Sequence, residues 1–180
     1  MLYDPAASNI FICEQGALRG DNIGDFRRIR RRIVLYNHEP ENYSCPFCNM
    51  IRAGLHNEED VVYETANVFV CISLHHQENS GPTFLVIPKQ HVENIYDISD
   101  ELLAEVMQVS KRIASKCREL WNTDGITIWQ HNEPSGSQDV WHLHVHVKCR
   151  FQNDNLYRSN KVETQRPIRE QWARDLRNTF

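Results

Sequence analysis

The hydrophobic pattern in the middle of the chain predicts several short strands. Apolar and β-branched residues fill the runs 61–63, 68–72 and 83–88, and polar stretches rich in Asn, Ser and Gly separate these runs. Runs of this length between turn-forming residues are typical of an antiparallel meander. The segment 74–82 is longer than a tight hairpin turn, which predicts a mobile surface lip.

A helical pattern begins at residue 99. Ser99 is a favourable N-cap, and Asp100 and Glu101 follow it as two carboxylates that suit the positive end of a helix. We expect Asp124 and Gly125 to end this helix. Between these signals, apolar residues recur every three or four positions and predict one buried stripe, formed by Leu102, Val106, Val109, Ile113, Cys117 and Leu120.

Alternation of apolar residues returns in two later segments, 126–128 and 141–147. It predicts two further strands, one on each side of the turn-rich segment 132–138. Near the C-terminus, Pro167 stands at a suitable first helical position, and Ile168, Trp172 and Leu176 follow at four-residue spacing. We therefore expect the tail to dock as a short helix.

The length of the chain favours a single domain. With 180 residues, of which 41% are hydrophobic, it can bury one sizeable core but hardly two. We expect an N-terminal extension over residues 1–40, a central domain over 41–154 and a C-terminal tail over 155–180. The extension contains an arginine-rich segment, Arg27 to Arg32, of a kind that is more often a solvated or packed amphipathic face than a binding site.

Charge and composition exclude several classes of partner. A formal net charge of -4 gives no overall attraction to nucleic acid or to an anionic membrane, so neither is an expected partner. No segment approaches eighteen uninterrupted apolar residues, and the first residues lack the pattern of a secretory signal. The six cysteines are spread through a chain large enough to fold without disulfides. We expect a cytoplasmic protein with reduced thiols.

Three histidines alternate with apolar residues in the segment 141–147. As a strand, this segment places His142, His144 and His146 on one face, where they line one small pocket. Imidazole nitrogens need polar partners when buried, so this face suits a site better than a core. Two alternatives are a solvent-facing strand without function and a metal site that uses all three histidines, for which Asp139 is the one acidic group nearby.

This run, with the preceding residues 138–141, resembles the signature of the histidine triad (HIT) family. Further matches in the family's order are Cys45-Pro46-Phe47-Cys48 with Met50, Ile51 and Gly54, then Val62-Tyr63-Glu64, and then residues 84–91. The resemblance covers residues 45–154 and points to the zinc-bearing bacterial type. It implies an α+β fold with a five-stranded antiparallel sheet, one long helix and short flanking helices. It also implies a homodimer.

The resemblance implies a nucleotidyl-enzyme mechanism in which His144 attacks the α-phosphorus of a nucleotide. His146 would be an outer donor that, when protonated, binds a phosphate oxygen or assists the leaving group. Asn132, Ser137, Gln138 and the backbone amides of the turn would hold the phosphate oxygens. Ordinary turn chemistry is the alternative reading of these three residues.

The same resemblance assigns an apolar base pocket and marks one departure from the family. The matching positions include Phe47, Met50, Phe69 and Leu85, all of which also suit a plain core. Cys71 stands where many members have a ribose-binding aspartate, so ribose recognition is expected to differ here.

A metal site is implied by Cys45, Cys48, His91 and His142. These positions match the family's zinc-bearing branch, and a Cys2His2 set without a vacant position would be structural. The cysteine spacing alone is equally typical of two reduced, metal-free thiols packed in a short helix. If zinc binds, His142 is a ligand and only His144 and His146 are free for phosphate chemistry.

The expected activity is hydrolysis of a nucleotide phosphate bond, on nucleoside phosphoramidates or dinucleoside polyphosphates, with release of a nucleoside monophosphate. A purine nucleotide is the expected substrate, with AMP the expected product, and no organic cofactor is expected. Two alternatives remain. One is a nucleotidyltransferase or phosphorylase, which His146 disfavours because the uridylyltransferases carry Gln at that position. The other is a nucleotide-binding module with negligible turnover, for which Cys71 is the best support.

Overall fold

The computed structural model of the chain describes residues 37–54 and 57–180. Three helices are present in this part: α1 (Pro46–Ala53), α2 (Asp100–Trp121) and α3 (Arg166–Arg177). The strands are β1 (Val61–Glu64), β2 (Val68–Ile72), β3 (His75–Gln77), β4 (Thr83–Pro88), β5 (Gly125–Gln130), β6 (Val145–Arg150) and β7 (Lys161–Glu163). The arginine-rich segment lies outside the described residues.

Five of these strands form one antiparallel sheet in the order β1-β2-β4-β6-β5. Strand β1 pairs with β2 and β2 with β4, as the meander predicts, and β6 joins the sheet between β4 and β5. Helix α2 packs against β4 and β6, and the apolar residues between them form the main core. The predicted α+β fold with a five-stranded antiparallel sheet is confirmed.

Helix α2 begins as the sequence predicts. The Ser99 hydroxyl accepts a hydrogen bond from the backbone N–H of Leu102 at 3.3 Å, and the stripe is buried from Leu102 to Cys117. Two details of the prediction are wrong. Leu120 is exposed, and the helix ends at Asn122, a left-handed residue, whereas Gly125 already belongs to β5. Asn tolerates the left-handed conformation that ends a helix, so Asp124 and Gly125 are not needed for it.

The N-cap of α2 gives a test of local stability. Ser99→Ala removes the acceptor for one exposed helix N–H and should lower the free energy of unfolding by about 1 kcal/mol. Ser115→Ala is a matched control, because its hydroxyl bonds only the carbonyl of Lys111 in the helix interior. Urea denaturation of both variants checks the prediction. An equal loss of unfolding free energy in both variants would contradict a specific stabilising effect of the Ser99 N-cap.

The predicted lip at 74–82 is not simply a loop, and this is a correction. Residues 75–77 form β3, which pairs with β7 of the C-terminal tail in a separate two-stranded sheet. Pairing of two short strands 86 residues apart leaves no local pattern that a sequence reading can detect. Backbone pairing between β3 and β7 therefore connects the 74–82 segment to the C-terminal tail.

Helix α3 completes the domain. Pro167 lies in its first turn, and Ala173 and Leu176 are buried in the main core, whereas Ile168 is exposed. Arg177 donates to the carbonyl oxygen of Val61 at 2.7 Å, which fastens the helix to the start of β1. Residues 155–180 thus supply part of the core.

No helix in the described ranges has the length and apolar character needed to cross a membrane.

Candidate active site and metal-binding cluster

The three histidines of the motif do not share one strand, which corrects the sequence interpretation. Strand β6 begins at Val145, so only His146 lies in the sheet. The backbone N–H of His142 donates to the carbonyl of Val140, and that of Leu143 donates to Val92, so this segment is held outside the sheet. His142 and His144 therefore lie in the segment that precedes the strand.

A cavity of about 440 Å³ lies beside His144 and His146. This volume is within the usual range of small-ligand pockets. Three of the four predicted base-pocket residues named above line it, namely Phe47, Met50 and Leu85, and Cys71 lines it as well. The fourth, Phe69, is buried in the cluster that also contains Cys71 and Ile87. The cavity has an apolar body with imidazoles at one side.

His144 is almost completely buried and held in a fixed orientation. Its Nδ1 lies 2.8 Å from the carbonyl oxygen of His142, so Nδ1 carries the proton in the neutral ring. The Phe47 ring packs edge-on against it, with centroids 5.0 Å apart. Burial lowers the pKa of His144, which favours the neutral form. A neutral ring with a protonated Nδ1 has its lone pair on Nε2.

His146 lies next to His144, with ring centroids 4.8 Å apart. Burial, followed by the nearby charges of His144, Lys148, His131 and Lys161, lowers its pKa to about 2. Its Nδ1 has no hydrogen-bond partner among the described residues. The family resemblance suggests a protonated His146, but burial keeps the ring neutral in the free protein. A bound anion beside it would raise its pKa.

In the loop before the motif, Gln138 and Asn132 are predicted to bind phosphate, but their side chains form hydrogen bonds within the protein. Gln138 is buried, its amide donates to the carbonyls of Glu93 and Val140, and its oxygen accepts from the N–H of Glu133. Both amide hydrogens are therefore engaged, which favours loop support over direct phosphate contact. Asn132 accepts from the N–H of Ile95 at 2.8 Å, and Ser137 is exposed at a positive φ.

Cys71 does not carry the negative charge of a ribose-binding carboxylate. It is fully buried in β2, and burial followed by the charge of Asp60 raises the pKa of its thiol to about 12. The thiol is therefore neutral at pH 7, and it offers at most a weak hydrogen bond. Position 71 therefore offers no charged group to a ribose hydroxyl, in contrast to the aspartate of many family members.

The four predicted metal ligands, His142 among them, come together in one cluster. One ligand atom from each of Cys45, Cys48, His91 and His142 lies within 4.8 Å of all the others. Cys45 Sγ lies 3.3 Å from His142 Nδ1, and Cys48 Sγ lies 3.2 Å from His91 Nδ1. Tetrahedral zinc, with bonds of about 2.0 Å to nitrogen and 2.3 Å to sulfur, requires donor separations of this size.

Both histidines of this cluster are oriented by a second hydrogen bond. His142 Nε2 lies 2.9 Å from the carbonyl oxygen of Pro88, and His91 Nε2 lies 2.6 Å from a carboxylate oxygen of Glu39. Ligating histidines usually donate their second N–H to such groups. No motif in the sequence indicates Glu39 for this role, since it stands 52 residues from His91 in a segment assigned to the extension.

The protein comparisons agree with this geometry. The HIT domain model matches residues 55–153. "Protein hit" of Bacillus subtilis is 32% identical over 114 residues, which are 63% of this chain and 74% of that protein. The adenosine 5'-monophosphoramidase HNT1 of Saccharomyces cerevisiae is 28% identical over 58% of this chain and 61% of its own length. A bis(5'-adenosyl)-triphosphatase of Dictyostelium discoideum is 33% identical over 47% and 59%, respectively.

Solved structures give the same result. A HIT-like protein from Bartonella henselae superposes with a TM-score of 0.68 at 29% identity, over 76% of this chain and 96% of that one. A zinc-bound histidine triad family protein from Mycobacterium smegmatis gives 0.64 at 30% identity, over 75% and 91%. The chain therefore belongs to the HIT family, and the hydrolases among its relatives identify it as an enzyme.

Proposed function

We propose that this protein hydrolyses a purine nucleotide at its α-phosphate through a covalent intermediate on His144, and that it releases AMP. The observation that carries the proposal is the fixed orientation of His144 at the side of the apolar cavity. Because Nδ1 is bound to a carbonyl, Nε2 is the nitrogen that is available as a nucleophile.

The reaction would proceed in two displacements. In the first, His144 Nε2 attacks the α-phosphorus, the bond to the leaving group breaks, and the leaving group takes up the proton of a protonated His146. In the second, water attacks the same phosphorus and gives its proton to His146, the P–N bond to His144 breaks, and AMP leaves with both histidines restored. The carbonyl of His142 would stabilise the positive charge that develops on the ring, since it accepts the Nδ1–H bond throughout.

His146 is the group placed to assist the phosphate or the leaving group. It is neutral in the free protein, and its ring centroid lies 4.8 Å from that of His144. Its Nδ1 has no hydrogen-bond partner among the described residues. Binding of a negatively charged phosphate would raise its pKa, so that the substrate itself favours the protonated donor. The backbone amides of residues 136–138 donate within the turn. The remaining phosphate contacts would therefore come from the Ser137 hydroxyl and from the second amide hydrogen of Asn132, whose first donates to Gln130 Oε1.

The choice of substrate rests on the cavity and on the relatives. An apolar body lined by Phe47, Met50 and Leu85 suits a nucleobase. One relative is named for adenosine 5'-monophosphoramide and another for bis(5'-adenosyl) triphosphate, so both substrate types are candidates. Transfer to an acceptor other than water has no specific support in the geometry. The homodimer and the cytoplasmic location stay predictions.

We further propose that Cys45, Cys48, His91 and His142 bind a structural Zn²⁺. Two thiolates and two imidazoles fill a tetrahedral shell and leave no position for substrate. The ion would fasten α1 to the segment that carries His144, and Glu39 and the Pro88 carbonyl would hold the two imidazoles. No step of the proposed reaction involves the metal.

The test is release of AMP from adenosine phosphoramidate and from diadenosine triphosphate, measured separately by chromatography. We expect multiple turnovers with at least one of them. The control is adenosine 5'-monophosphate binding, measured by calorimetry on the same preparation. Binding without release from either substrate would contradict the proposed hydrolase and favour the alternative of a nucleotide-binding module.

A further inference from the structure

The two-stranded sheet of β3 and β7 brings a lysine from the C-terminal tail to the candidate active site. Lys161 opens β7 and pairs with Gln77 of β3, and its side chain lines the same cavity as His144 and His146. This placement depends on the pairing of two strands far apart in sequence. Neither the HxHxH motif nor the length of the tail indicated it.

Lys161 is distinctive among the described residues that line this cavity, because it is the only lysine or arginine among them. Two carboxylates line the cavity as well. Asp60 is bound by Arg169 of α3 at 2.8 Å, with both side chains largely buried. Asp139 forms an ion pair with Lys161 at 3.5 Å, and both of these side chains are more than half exposed. Asp139 is thus the carboxylate that competes for Lys161.

An exposed ion pair of this kind is weak, since water and salt screen it. Lys161 can therefore exchange Asp139 for a negatively charged ligand at small cost. The other lysine in this region, Lys148, is differently placed. It is buried, donates to Gln77 Oε1 at 2.9 Å and lies 4.7 Å from the centroid of the Trp129 ring, so its ammonium is already engaged by these two groups.

The position of Lys161 also matches where substrate charge would lie. Lys161 lines the same cavity as His144 and His146, and its side chain is more than half exposed. A substrate whose α-phosphorus lies at His144 would place its remaining phosphates, if it has any, in this positive region.

We propose that Lys161 binds the anionic leaving group of the substrate and so makes the enzyme selective for dinucleoside polyphosphates over nucleoside phosphoramidates. This inference rests on the proposed function. The leaving group of a polyphosphate is a nucleoside diphosphate or triphosphate with several negative charges, whereas that of a phosphoramidate is ammonia or an amine. A lysine ammonium stabilises only the first kind.

The experiment compares the ratio of kcat/KM for diadenosine triphosphate to that for adenosine phosphoramidate in wild type and variants. Lys161→Gln should lower this ratio about five- to tenfold, the effect expected for one partly exposed charge-assisted contact. Lys161→Arg keeps the charge and should stay within about twofold of wild type. Lys116→Gln, which removes an exposed ion pair with Glu119 on α2, is the matched control and should leave the ratio unchanged.

Asp139→Asn separates this role from a structural one. If Lys161 binds the leaving group, loss of the competing carboxylate should leave the ratio at or above the wild-type value. A fall similar to that of Lys161→Gln would mean that the pair matters only for holding the loop, and would overturn the inference. An unchanged ratio in Lys161→Gln, with AMP released from both substrates, would also overturn it while leaving the proposed function intact. If the wild-type protein releases AMP from neither substrate, both the proposed function and this inference are wrong.

Discussion

Cys48→Ser should lower the free energy of unfolding by about 4 kcal/mol or more, because it removes one of four ligands from a metal that connects distant parts of the chain. The cluster joins helix α1 to residues 91 and 142, which are 43 and 94 positions away from Cys48. Denaturation at fixed zinc concentration measures the loss, and elemental analysis should give one zinc per wild-type chain and none in the variant.

Chelation provides the matched control for this prediction. Removal of zinc from the wild-type protein should lower its stability by a similar amount, whereas the same treatment should hardly affect Cys48→Ser, since the two changes abolish one interaction. If the cysteines are only reduced packing thiols, serine at position 48 should cost much less and chelation should cost nothing. Additive losses would likewise contradict a shared metal site.

His144→Ala should reduce kcat for AMP release by about 10⁴-fold or more, because water must then attack the phosphorus without the covalent intermediate. AMP affinity should change little, since the apolar lining and the loop remain. His76→Gln is a suitable control: His76 bonds Thr164 and packs against Trp172 away from the cavity lining, so its replacement should preserve turnover. A His144→Ala variant with more than about a tenth of wild-type activity would exclude His144 as the nucleophile.

Much of the fold was predictable because it depends on local patterns. The strands at 61–64, 68–72 and 83–88 have apolar runs bounded by turn residues, and α2 has both an N-cap and an apolar stripe. The four positions of the metal cluster could be named because their residue types matched a family pattern. Local chemistry and residue type were sufficient for these features.

The features that could not be predicted depend on contacts between distant segments. The alternation of the 141–147 run implied one continuous strand, but backbone bonds to Val92 and Val140 hold its first half outside the sheet. Of the three histidines, only His146 therefore lies in the sheet. Lys161 and Glu39 reach their sites through pairing and packing of chain ends, which carry no periodic signal.

The loop residues show a different limit of sequence reasoning. Asn132, Ser137 and Gln138 have side chains that can hold a phosphate, and the same side chains can stabilise a turn. The structure engages the Gln138 amide in three hydrogen bonds within the protein. Residue type alone does not distinguish the two uses, because they draw on the same donors.

The measurement that tests the central claim most directly is detection of the nucleotidyl enzyme. Wild-type protein would be mixed briefly with excess adenosine phosphoramidate or diadenosine triphosphate, quenched without acid because a phosphohistidine bond is acid-labile, and examined by intact mass and peptide mapping. We predict a mass increase of one AMP less water, located on His144 and absent from His144→Ala. AMP release with the modification on another residue, or with the modification unchanged in His144→Ala, would contradict the account.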